Sequence, residues 1–187
     1  MKIRLDYVSN SSSSSFIVIS GTDKEQLNFG GKKVYVPCRD GTYEFGWAFK
    51  RYSDFWSKLN WCAIMLAEIQ TFKDRKMKIT EDTPDWEKDL ITRELYWKKN
   101  YSKILRMFKK VCLEKFNLNV EISQQNVEEM YAYIDHQSDL IEEPKNAEMF
   151  DSASKLYNFL ASKNSYIQGG NDNYNPEEAQ YYAKNWD

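Results

Sequence analysis

Hydrophobic and polar positions alternate with a period of two at the start of the chain. Ile3, Leu5 and Tyr7 alternate with Lys2, Arg4 and Asp6, which predicts a strand over 2–8. A polar stretch over 9–15 follows, and then Phe16, Ile17, Val18 and Ile19 form an apolar run. Such a run reads as a second strand covered on both faces, central in its sheet. Gly30 and Gly31 mark a turn. Residues 33–38 and 42–47 then read as a β-hairpin, with Asp40-Gly41 supplying the turn.

After residue 53 the period changes to that of a helix. Phe55, Leu59, Cys62, Leu66 and Ile69 share one face, and Trp56, Ala63 and Met65 widen it. The helix is expected to be buried on most sides, with Ser53 as its N-cap. Thr83 as N-cap and Pro84 at the first helical position open a second helix running to about residue 116, either unbroken or interrupted near Asn100. Residues 119–123 read as a short strand. Residues 124–136 fit a short helix passing into a strand. A helix over 146–163, a strand over 165–168, a loop over 169–175 and a terminal helix opened by Asn175-Pro176 complete the pattern. The expected fold is α+β, a single domain over 1–187. A small mixed or antiparallel sheet, formed by the N-terminal strands and the hairpin, would pack with three to five helices.

Composition adds limits rather than a function. The chain has 187 residues, enough to bury a core without a metal or disulfide staple. Its aromatics, 6 Trp, 13 Tyr and 10 Phe, suit a packed core and equally a binding face. The three cysteines, Cys38, Cys62 and Cys112, are widely spaced and form no C-x-x-C pair. They point to buried thiols in a reducing, cytoplasmic compartment. No apolar run is long enough to span a membrane, and the N-terminus lacks the apolar core of a signal peptide. No cofactor motif is present. The net charge of −2 excludes a global basic attraction to nucleic acid.

Four places carry candidate chemistry. The first is the tract Ser9, Asn10, Ser11, Ser12, Ser13, Ser14 and Ser15, whose hydroxyls and amides would contact an anion if the loop is ordered. It lacks the glycines and lysine of a P-loop. The second is His136, the only histidine and a candidate general base, with Asp135, Asp139 or Asp172 to orient it. The third is Gly169-Gly170-Asn171-Asp172-Asn173, where Asn171 and Asn173 are ligand candidates. It is not an EF-hand, since the glycine and glutamate of that loop are missing. The fourth is the basic set Lys98, Lys99, Lys103, Arg106, Lys109 and Lys110, interleaved with Trp97, Tyr101 and Phe108. It would suit phosphates and stacked bases, but a solvated helix face is the favoured reading.

The opening Tyr7-Val8-Ser9-Asn10-Ser11-Ser12-Ser13-Ser14-Ser15-Phe16-Ile17-Val18 resembles the start of a group of uncharacterised bacteriophage and Firmicute-type proteins. The segments 134–138 and 165–173 are similar to the later parts of some of them, so the resemblance covers about thirty residues at the two ends. It implies a phage or prophage accessory protein, and it implies that the serine loop and the His136 and Asn171 segments form one site. The leading expectation is therefore a protein that binds a host protein, an inhibitor of a bacterial defence system. The alternative is an enzyme or a nucleotide- or anion-binding protein built on that site.

Overall fold

The computed structural model describes residues 14–38, 43–45, 50–72, 79–125, 132–134 and 144–170. The strand expected over 2–8, the 39–41 turn and the terminal helix after Asn175 lie outside the described residues. The fold is α+β, as the pattern predicts. One hydrophobic core draws residues from helices and strands alike.

Helix α1, Phe55–Phe72, lies at the centre of that core. From Leu59 to Ile69 it exposes almost nothing: Trp61, Cys62, Ala63, Met65 and Leu66 are fully buried. A helix apolar all round must be covered all round, and neighbours supply that cover. Phe45 reaches it from residues 43–45, its ring meeting Trp61 edge-on at 5.0 Å. The N-cap is Asp54 rather than Ser53. Asp54 Oδ1 accepts the Ser57 N–H at 2.9 Å, the geometry by which a cap satisfies an orphan donor.

Helix α2, Asp85–Phe116, is a single 32-residue helix with no break at Asn100. The Asn100 side chain donates to Tyr96 O along the helix. Pro84 takes the capping position, and the Thr83 hydroxyl turns back to accept the Thr80 N–H instead of capping α2. At the far end Asn117 adopts the left-handed conformation (φ 49°) and closes the helix through Cys112 O and Leu113 O. The expected helix over 146–163 is divided. Pro144–Asp151 is 3-10, and Ser152 then caps α3, Ala153–Ala161, by accepting the Lys155 N–H at 3.1 Å.

The strands pair differently from the pattern's reading. β1, Ser14–Val18, and β4, Arg51–Tyr52, flank β7, Tyr166–Gly170, in an antiparallel sheet. So β7 is the central strand and, among the described residues, β1 has one neighbour. Phe16, 42% exposed, does not face a covering layer. The hairpin is also corrected. β2, Lys32–Val36, pairs in parallel with β5, Leu118–Ile122, while β3, Tyr43–Phe45, pairs in parallel with β6, Ala132–Ile134. Alternation identified these strands, but partners more than 80 residues away won them, because those pairings deliver Val36, Phe45, Val120 and Ile134 to the core. The turn before β2 is as expected, with Gly30 and Gly31 both at positive φ.

Candidate functional site

Of the residues proposed for one site, Ser9, Asn10, Ser11, Ser12, Ser13, Asp135, His136, Asp139, Asn171, Asp172 and Asn173 lie outside the described residues. The ends of their segments are described. β1 begins at Ser14 and β7 ends at Gly170, and the register sets Ser14 opposite Gly170 and Ser15 opposite Gly169. Ser14-Ser15 and Gly169-Gly170 thus lie side by side. The His136 segment follows β6, which belongs to the separate pair with β3.

Three buried groups hold the tract's end. Ser15 is buried, and its carbonyl accepts the Asn146 side-chain amide at 2.8 Å. Asn146 O in turn accepts the Trp61 indole N–H at 3.2 Å. This chain of hydrogen bonds runs from β1 through the 3-10 segment into α1. Buried polar groups satisfied in series rigidify the strand end.

A polar centre that the sequence reading missed surrounds Lys58. The side chain is 1% exposed, and Nζ donates to the Ser162 carbonyl at 2.7 Å. Burial lowers its pKa to about 8, against the opposing pull of Asp54, Glu25 and Cys62. Beside it, the Ser162 hydroxyl donates to Thr22 O, and the Ser165 hydroxyl accepts the Ser20 N–H at 2.8 Å. The group ties residues 20–25 to the end of α3 and the start of β7. A lysine within the apolar stripe of α1 was the available signal. An amine enclosed against a buried carbonyl acts as a clamp.

The two buried thiols behave as small apolar groups. Burial raises both pKa values, that of Cys112 to about 12. A thiol held protonated is a poor nucleophile.

On α2 the six basic residues divide. Lys99, Lys103, Arg106 and Lys110 are exposed and fall within about 60° of one another at 100° per residue. Lys98 and Lys109 lie at the half-buried flank. Lys109 pairs with Glu121 of β5, and Lys110 is 3.8 Å from Glu114. The rings once grouped with these cations point the other way. Trp97 and Phe108 are buried, and the Tyr101 hydroxyl donates to Gln70. They offer no stacking surface to a base. A groove of about 320 Å³ lies beside the C-terminal end of the row, lined by Lys109, Lys110, Leu113, Glu114, Asn119, Val120 and Glu121.

Among the described residues no helix is long and apolar enough to cross a membrane. Comparison with protein-family models, with curated proteins and with solved structures returns no match.

Proposed function

We propose that the protein acts by binding another protein, a bacterial host protein belonging to a defence system. The observation that carries this is the outward side of α2. Tyr96 is 58% exposed there, with Leu95 and Leu113 also turned out, while Trp86, 66% exposed, stands in the first turn on the opposite side of the helix. Single exposed apolar residues are ordinary; an exposed tyrosine and two leucines on the outward side of one helix suit an interface, where aromatic residues are favoured anchors. The phage setting rests on the opening string alone. A photo-crosslinking residue placed at Tyr96 in bacterial cells is expected to join one host protein repeatedly. Crosslinks that merely follow protein abundance would refute the proposal.

A second reading has its own observation. The pairing of Ser14 with Gly170 and Ser15 with Gly169 favours a nucleotide or anion site shared by the serine loop and Asn171–Asn173, with His136 as the base if the site is catalytic. Inorganic phosphate or a nucleoside triphosphate should then raise the melting temperature and move the His136 imidazole signal in NMR. No response from either measurement would eliminate it.

A further inference from the structure

We infer that the outward face of α2 docks an acidic protein segment that carries apolar anchors near its two ends. This rests on the reading of the protein as a protein-binding molecule and names the partner's chemistry.

The sequence of α2 is unusual in its middle. From Leu95 through Leu113 there is no acidic residue, while six of the 26 cations of a chain with net charge −2 fall there. Surface helices ordinarily intersperse both signs, since a cation gains from a carboxylate three or four residues away. For Lys99, Lys103 and Arg106 that local partner is withheld. Among the described residues, Lys99, Lys103 and Arg106 make no ion pair, whereas Lys88, Lys109 and Lys110 each have one. Three like charges at i, i+4 and i+7 repel one another. An arriving row of carboxylates relieves that repulsion and supplies the missing partners.

Two features select a protein segment over a nucleic acid. Leu95 and Leu113, each 48% exposed, lie within about 20° of Arg106 on the helix, bracketing the cationic row about 27 Å apart. A phosphate backbone has no use for two leucines, but an amphipathic segment does. Leu113 also borders the groove beside β5, where Glu114 and Glu121 stand. Both carboxylates are paired, with Lys110 and Lys109, and Leu113 and Val120 in the same groove give an apolar side chain a place to pack. With Trp97 and Phe108 buried, Tyr96 is the one exposed ring beside the row, where a single strand would need a ring for each of several successive bases.

The test uses the full chain and three probes. These are a helical peptide of about 20 residues with a glutamate row flanked by leucines, the same peptide with serines for leucines, and an oligothymidylate of equal charge. The expected result is binding of the first peptide, weakened by salt and at least about tenfold by K103E with R106E. L95A or L113A should weaken it by about threefold or more, and the serine peptide and the oligonucleotide should bind less well. An unchanged melting temperature shows that the variants fold, and the salt titration of the unaltered chain needs no variant. Absence of peptide binding, indifference to the charge reversals, or tighter binding of the oligonucleotide would each overturn the inference. In cells, a host protein that still crosslinks to the charge-reversed chain sinks this docking face and leaves the binding reading standing. Absence of any host crosslink to the unaltered chain sinks the reading itself.

Discussion

Lys58 shows how far one residue's chemistry depends on where it is placed. In the unfolded chain its amine titrates at 10.5, and burial in the fold brings it to about 8. Below pH 8 both states carry the proton and the full desolvation penalty opposes folding. Between about pH 8 and 10.5 the folded state releases the proton first, so the unfolded state binds more protons and stability rises with pH. The effect is at most on the order of 3 kcal/mol. Urea unfolding of the wild type and Lys58→Met across pH 7.5 to 10 isolates it, because other titrating groups are common to both. The wild type should gain stability relative to the variant as pH rises. A difference that stays constant across the range would show that Lys58 is not desolvated.

At the scale of elements, caps decide where helices begin. Asp54 Oδ1 accepts the Ser57 N–H, and Ser152 Oγ accepts the Lys155 N–H. Asp54→Ala and Ser152→Ala are each expected to cost about 1 kcal/mol in chemical unfolding, with Ser53→Ala within about 0.5 kcal/mol. Equal losses at Ser53 and Asp54 would contradict the assignment. Both residues carry capping side chains and stand next to each other, so composition alone did not choose between them. Ser152 was hidden within a continuous apolar stripe. The two faces of α2 make a sharper contrast. Phe108 is fully buried, while Lys103, one turn and a half earlier, is exposed. Phe108→Ala should cost about 3–5 kcal/mol and Lys103→Ala within about 0.5 kcal/mol. A small loss at Phe108 would mean that α2 does not seal the core.

For the whole molecule, the sequence by itself determined what local periodicity controls. It specified the α+β class, the burial of α1, the continuous apolar stripe of α2 and the strands β2, β5 and β7 to within a residue or two. It also exposed the basic run on α2, because an acid-free stretch is visible without coordinates. Tertiary structure decided every pairing. β2 and β3 are near neighbours in sequence and read as a hairpin, yet each found a parallel partner far along the chain. A strand's alternation says which face it buries and nothing about which strand lies beside it. Tertiary structure also set Ser14 and Ser15 against Gly170 and Gly169, a register that no spacing encodes. The division of six cations into an exposed row and a half-buried flank became visible only once the core claimed one side of α2. Helical spacing lists the residues on each face, but burial of the opposite face fixes which of them meets solvent.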